Sequence, residues 1–200
     1  MSIVKFKVDF ASRGPPADSR VALLRDWCVR FNQNGLTPRL NGAGRSLGNL
    51  SFRLAPGSAA FIITGSTLES KDILADADFV KVLDADPAGM LVVAEGAKDP
   101  SSESMMHCEI YKRRRDVGAV FHGHDLEITS NAGRLGLPET DQEELPGSVP
   151  LMREVMKILA TERFIVMRNH GFLALGGTMD EAGALAMRVK SEIKSAAGIL

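Results

Sequence analysis

Residues 49–64, NLSFRLAPGSAAFIIT, contain two short runs, NLSFRL and AAFIIT, of the type found in β-strands. Pro56 and Gly57 separate the runs and are typical of a turn, so the stretch predicts a β-hairpin. FVKVL (79–83) and MLVVAE (90–95), joined by DADPAG, predict a second hairpin. Further strands are predicted for VGAVFHGH (117–124), FIVMRN (164–169) and FLALG (172–176).

Helical patterns flank these strands. Helices are predicted over residues 18–34, 101–115 and 149–161, and after the capping box at 178–181. Residues 129–150 are polar and rich in Gly and Pro, which predicts a surface loop. Strands in the middle with helices at both ends predict an α/β fold, a three-layer α/β/α sandwich with a central, mostly antiparallel sheet. No linker or repeat divides the chain, so residues 1–200 are predicted to form a single domain.

Composition excludes several classes of protein. The 200 residues carry 24 Lys and Arg against 25 Asp and Glu, a net charge of −1, so we expect no nucleic-acid and no membrane partner. The start, MSIVKFKVDF, lacks the apolar core of a secretion signal, and no window reaches the ~20 apolar residues that span a bilayer. The distant Cys28 and Cys108 are predicted to be buried, free thiols, which favours a cytoplasmic location.

His122-Gly123-His124 is the most informative tripeptide. Residues two apart on a strand face the same side, so the two imidazoles can hold one cation. A pair of hydrogen-bonded, partly buried histidines is an equally common reason for this pattern, so a third ligand decides between them. His170, at the interruption RNHG between two apolar runs, is the best candidate, and three histidines leave a position open for substrate, as in a catalytic zinc site. His107 has no such partner and is predicted to be a helix-surface or packing residue.

Glu103 and its neighbours are a second group of candidate site residues. A carboxylate in the first turn of a helix is usually a capping feature. Ser101 and Ser102 precede it, however, and hydroxyls with free N–H groups at a helix start can also bind an anion. Two Gly-containing stretches, GRSLGNLS (44–51, with Ser46, Gly48 and Asn49) and TGST (64–67, with Thr64 and Gly65), resemble phosphate cradles, although each alone is more often an ordinary turn.

Several motifs follow one another along the chain: GNLSFR (48–53), FIITG (61–65), PSSE (100–103), AVFHGH (119–124), RNHG (168–171) and a closing T-x-x-E-A helix (178–182). In this order they resemble the class II aldolase/adducin family, over about residues 20–196. The resemblance implies an α/β/α sandwich, a homotetramer with active sites between subunits, and Zn²⁺ or another divalent metal held by His122, His124 and His170. It also implies that Glu103 is the catalytic acid/base and that the substrate phosphate is surrounded by Ser46, Asn49, Thr64, Gly65, Ser101 and Ser102.

The resemblance leaves more than one reaction open. The leading hypothesis is a zinc-dependent lyase that cleaves a small phosphorylated sugar or hydroxy-ketone through a metal-stabilised enediolate, by aldol cleavage or a related step such as decarboxylation. The alternatives are a sugar-phosphate 4-epimerase or dehydratase, and a non-catalytic interaction module as in adducin. Aldolases of this family protonate the leaving aldehyde with a tyrosine, whereas the single tyrosine of this chain, Tyr111, matches no such position.

Overall fold

A computed structural model of the chain describes residues 5–42 and 44–196. Its described strands form one eight-stranded sheet in the order β1-β5-β4-β3-β2-β6-β8-β7. The strands are β1 (Lys7–Ser12), β2 (Asn49–Arg53), β3 (Phe61–Thr64), β4 (Phe79–Asp86), β5 (Leu91–Glu95), β6 (Ala119–Gly123), β7 (Phe164–Met167) and β8 (Gly171–Gly176). The helices are α1 (Val21–Gln33), α2 (Ser104–Arg113), α3 (Leu126–Ser130), α4 (Val149–Ile158) and α5 (Met179–Ala196).

Antiparallel pairing dominates the sheet. Strand β2 pairs with β3 in the first predicted hairpin, and β4 pairs with β5 in the second. On its other edge β2 pairs with β6, which places Asn49 opposite His122. Among the described strands only β1 and β5 run parallel to each other. The predicted mostly antiparallel sheet is therefore confirmed.

Helices cover both faces of this sheet. One apolar core joins α1, α3 and α5 to the sheet and includes Phe121 of β6. The other core joins α2 and α4 to the opposite face and includes Val120, the preceding residue of the same strand. Adjacent residues of a strand point to opposite faces, so β6 contributes to both cores. The α/β/α sandwich is confirmed.

Three local features differ from the sequence-based expectations. Strand β1 was not predicted, because it is an edge strand whose charged and apolar side chains are mostly exposed and form no apolar run. Helix α3 was not predicted either; it has five residues and begins where the Asp125 carboxylate accepts hydrogen bonds from two backbone N–H groups. Helix α2 begins at Ser104 instead of 101, so the two predicted capping serines lie in the turn before it.

No helix within residues 5–42 and 44–196 combines the length and the apolar content needed to cross a bilayer.

Candidate metal centre and adjoining cavity

Three strand ends bring the predicted histidines together. His122 is the fourth residue of β6, His124 follows the end of that strand, and His170 lies in the turn between β7 and β8. One candidate ligand atom from each ring lies within 4.8 Å of the others. The ring centroids of His122 and His124 are 4.6 Å apart, and that of His170 is 4.8 Å from His124. The structure therefore groups the three side chains that the sequence singled out.

Hydrogen bonding selects the tautomer of His122. Its Nδ1 lies 2.9 Å from the carbonyl oxygen of Phe172, and a carbonyl can only accept, so Nδ1 carries the hydrogen. Nε2 is then an unprotonated nitrogen; it is buried and makes no hydrogen bond. A backbone carbonyl on one ring nitrogen with the other left free is the usual arrangement of a metal-ligating histidine.

Burial keeps two of these imidazoles neutral. It lowers the pKa of His122 to about 4 and that of His124 to about 2, in each case because the charged ring would lose its hydration. Neutral imidazole is the form that binds a metal, so the donor set fits a divalent cation without first losing a proton at these two rings.

Glu103 faces the histidines from the start of α2. Its Oε1 accepts a hydrogen bond of 2.9 Å from His170 Nε2, and its Oε2 accepts one of 2.7 Å from Asn49 Nδ2. Oε2 also lies 3.1 Å from His122 Nε2, although the geometry there makes no hydrogen bond. A carboxylate and an unprotonated ring nitrogen at this distance both present lone pairs, which repel each other. A cation bound between them would relieve this repulsion.

The charge of Glu103 follows from these neighbours. Burial by itself raises the pKa of the carboxyl group, but His122, His170 and the Asn49 amide outweigh it and hold that pKa well below its usual range. Glu103 is therefore a carboxylate at neutral pH, the form that can accept a proton.

Two glycines allow the strands to approach closely enough for this geometry. Gly48 has a φ of +72°, and a Cβ there would lie 2.6 Å from the carbonyl oxygen of His122. A Cβ on Gly171 would lie 2.4 Å from the carbonyl oxygen of Gly123. Larger residues at either position would push β2 or β8 away from β6, so both glycines are required for the histidines to meet.

A cavity of about 300 Å³ opens in front of the cluster. Its walls include Glu103, the three histidines and most residues predicted to bind phosphate: Ser46, Gly48, Asn49, Gly65, Ser101 and Ser102. Thr64 is the exception, since it is fully buried behind the wall and its hydroxyl has no hydrogen-bond partner. The size of the cavity is in the range of small-molecule sites.

Some predicted phosphate donors already have partners. The Gly65 N–H donates to the carbonyl of Asp78, and the Asn49 amide donates to Glu103. Asn49 therefore orients the carboxylate in this structure. The phosphate-binding role of all these residues stays a prediction.

Lys71 also lines the cavity and was not predicted. It lies in the polar stretch that follows β3, where a lysine is normally solvent-exposed, so the sequence contains no signal that this one is buried. Ser66 and Thr67, from the predicted cradle TGST, line the same wall.

His107 and Tyr111 lie behind the site and not in it. The Ser51 hydroxyl is 2.8 Å from His107 Nδ1 and 2.8 Å from the Tyr111 hydroxyl, and both side chains are buried in α2 against Phe61. Burial lowers the pKa of His107 to about 3. His107 is thus a packing residue, and the only tyrosine does not reach the cavity.

A family model described as the Class II Aldolase and Adducin N-terminal domain matches residues 28–194. This chain belongs to the class II aldolase and adducin family. The matched segment includes Glu103 and all three histidines, so the resemblance seen in the ordered motifs is confirmed.

Curated relatives of this chain within the family have two kinds of name. A methylthioribulose-1-phosphate dehydratase from Acidiphilium cryptum is 36% identical over 121 residues, 60% of this chain and 50% of that protein. An L-fuculose phosphate aldolase from Methanocaldococcus jannaschii is 29% identical over 97 residues, 42% of this chain and 52% of that protein. The matched segments thus span about half the length of these relatives.

Solved structures of the family share the fold. An L-fuculose 1-phosphate aldolase superimposes with a TM-score of 0.71 at 24% identity, covering 92% of this chain and 88% of that one. At this identity the likeness establishes the architecture of the class II aldolase domain and not its substrate.

Proposed function

We propose that this chain is a divalent-metal-dependent lyase acting on a small sugar phosphate. The observation that supports this most directly is the convergence of three imidazoles and a buried carboxylate on one wall of a cavity of about 300 Å³. The relatives named above, a dehydratase and an aldolase of sugar phosphates, support the same class of reaction.

His122, His124 and His170 would hold the cation. When bound, the metal supplies Lewis-acid stabilisation of negative charge on the substrate oxygens. Zinc is the ion that we propose first, because three imidazoles with an open position are a frequent catalytic zinc site. His170 now donates its Nε2 proton to Glu103, so binding through that nitrogen would require the ring proton to lie on Nδ1.

Glu103 would be the proton acceptor. It is ionised, it lies 2.9 Å from one ring of the histidine cluster and 3.1 Å from another, and hydrogen bonds to both oxygens fix its orientation. In aldol cleavage it would take the proton of the hydroxyl on the carbon that becomes the aldehyde, the adjacent carbon–carbon bond would break, and the proton would be returned to the carbon that the aldehyde leaves. In dehydration it would take the proton on the carbon next to the carbonyl and pass it to the neighbouring hydroxyl, which would leave as water as the carbon–carbon double bond forms.

Dehydration is the second candidate reaction, and the position of Tyr111 favours it. The proton donor of family aldolases is a tyrosine, but Tyr111 is buried, its hydroxyl lies 2.8 Å from that of Ser51, and burial raises its pKa above the ordinary range. A dehydratase protonates a leaving hydroxyl and no aldehyde, so it does not require that tyrosine.

A panel of sugar phosphates separates the reactions. Purified protein of measured metal content is incubated with L-fuculose 1-phosphate, its stereoisomers and methylthioribulose 1-phosphate, and the products are analysed by mass spectrometry. We expect either dihydroxyacetone phosphate, from aldol cleavage, or a product lighter by the mass of water, from dehydration. A product of unchanged mass indicates an epimerase. Protein that contains no divalent metal and converts nothing in the panel contradicts the proposal and favours the non-catalytic, adducin-like module.

We also propose a homotetramer with the sites between subunits, and a cytoplasmic location in keeping with the two free, buried cysteines. Two large apolar side chains are exposed near the histidine cluster: Leu126 is 84% exposed and Leu145 is 70% exposed, and each lines a surface depression together with His170. Exposed apolar groups beside a site are typical of an interface.

Light scattering is expected to give four times the chain mass for wild type and a smaller mass for Leu126→Asp; a wild-type monomer contradicts the tetramer.

A further inference from the structure

Lys71 is a buried cation in the wall of the cavity. Its side chain is 1% exposed, and its Nζ donates hydrogen bonds to the Leu47 carbonyl, at 2.9 Å, and to the Ser46 hydroxyl, at 3.1 Å. Both partners are neutral. An ammonium group has three hydrogens, so one remains for a further acceptor.

No carboxylate of residues 5–42 and 44–196 lies within ion-pair distance of the Lys71 ammonium. Other lysines of the chain have such partners: Lys81 lies 3.0 Å from Glu95, and Lys190 lies 2.7 Å from Asp125. A buried charge without a partner is costly, because the protein replaces only part of its hydration. Burial accordingly lowers the pKa of Lys71 to about 8, which still leaves the group mostly protonated at pH 7.

The side chains around this ammonium are suited to an oxyanion. Ser46, Ser66, Thr67 and Ser101 line the same cavity; the Ser46 hydroxyl donates to the Thr37 carbonyl and that of Thr67 to the Ser66 carbonyl. The carboxylate of that cavity, Glu103, is already bonded to Asn49 and His170, so it is not the counter-charge of Lys71. The negative charge that compensates Lys71 must therefore come with the ligand.

We propose that Lys71 is the charged anchor for the phosphate group of the substrate, a role that rests on the proposed function. A phosphate monoester carries close to two negative charges at neutral pH and has three oxygens for the ammonium and the surrounding hydroxyls. A neutral sugar would leave the buried cation uncompensated. Lys71 thereby selects phosphorylated substrates over their unphosphorylated analogues.

The test measures binding of inorganic phosphate by calorimetry to wild type, Lys71→Met and Lys81→Met. Lys81→Met is the matched control, since it removes a lysine whose partner is Glu95 on the surface. We expect the Kd for phosphate to rise by a factor of ~10–100 in Lys71→Met and to stay unchanged in Lys81→Met. Methionine has a similar length and no charge, so Lys71→Met is expected to fold with a Tm equal to or above that of wild type.

The pH dependence provides a readout that a purely structural lysine would not change. Inorganic phosphate is mostly dianionic above about pH 8, so affinity for wild type is expected to fall as Lys71 loses its proton, whereas the slope is absent in Lys71→Met. The titratable groups around Lys71 do not produce such a slope. The Cys28 thiol near Lys71 and the other charged and titratable groups of the cavity all remain in Lys71→Met, so a slope that this variant loses belongs to Lys71; these cavity groups are Arg45, Glu103, His122, His124 and His170.

Three outcomes would overturn the proposal: no binding of phosphate to wild type at millimolar concentration, an unchanged Kd in Lys71→Met, or acetate bound as tightly as phosphate. The binding assay needs no turnover, so it is independent of the lyase proposal. Phosphate affinity that depends on Lys71 in a protein with no lyase activity supports the anchor and refutes the lyase. Lyase activity with the same preference for phosphorylated substrates in Lys71→Met supports the lyase and refutes the anchor.

Discussion

The Glu103→Gln variant is expected to lose turnover by a factor of ~10²–10⁴ while keeping its full metal content. Glutamine preserves the size of the side chain and can still accept a hydrogen bond, but it cannot take a proton. The three histidines that would hold the metal are unchanged. Steady-state kinetics on the substrate identified from the panel, together with elemental analysis, measure both quantities.

Glu109→Gln is the matched control for this variant. Glu109 lies on the same helix, pairs with Lys112 at 3.6 Å and does not line the cavity, so its substitution is expected to leave turnover unchanged. Loss of metal from Glu103→Gln would instead identify Glu103 as a ligand. Full turnover in Glu103→Gln would remove it from the reaction.

Replacing His122 with alanine is expected to weaken divalent metal binding by more than ~100-fold and to abolish turnover. Loss of a group that only orients a ligand already costs about 10–100-fold in affinity, and His122 offers the ligand atom itself. Its Nδ1 is bonded to the Phe172 carbonyl and its Nε2 is buried without a hydrogen-bond partner, so Nε2 is the nitrogen free to bind the metal. Metal content after dialysis and a competition titration with a chelating dye measure the change.

His107→Gln is the control for loss of a buried imidazole. His107 is as buried as His122 but bonds to Ser51 in the core, so this variant is expected to lower the Tm and to keep the metal. Stoichiometric metal in His122→Ala would place the metal elsewhere. Equal loss of metal from both variants would indicate a general effect of unfolding.

Local patterns were enough to predict most of the fold. The runs NLSFRL and AAFIIT contain β2 and β3, with Ser51 opposite Ile63, because a turn between two apolar runs leaves few other pairings. Strand β1 was missed because its pairing with β5 joins segments about 80 residues apart, and an exposed edge strand requires no apolar run. Helix α3 was missed because a helix of five residues is too short to show a period.

The candidate site, like the fold, was predictable only in part from the sequence. His122 and His124 could be paired from the sequence, because the two-residue period of a strand places them on one face. The approach of His170 and Glu103 depends on β8 pairing with β6 and on the packing of α2, which are contacts between distant segments. Thr64 shows the limit of motif reasoning: it belongs to the predicted cradle, yet its side chain lies behind the wall of the cavity.

Residue types and local periods were enough to predict the family, the α/β/α architecture and a set of candidate site residues, because these features depend only on neighbours along the chain. The electrostatic states of these residues, in contrast, depend on tertiary contacts. The free Nε2 of His122, the ionised Glu103 and the unpaired charge of Lys71 all result from burial and from partners far away in sequence. A group loses its hydration only when distant segments pack around it, so local sequence patterns do not predict the resulting change in its pKa or charge.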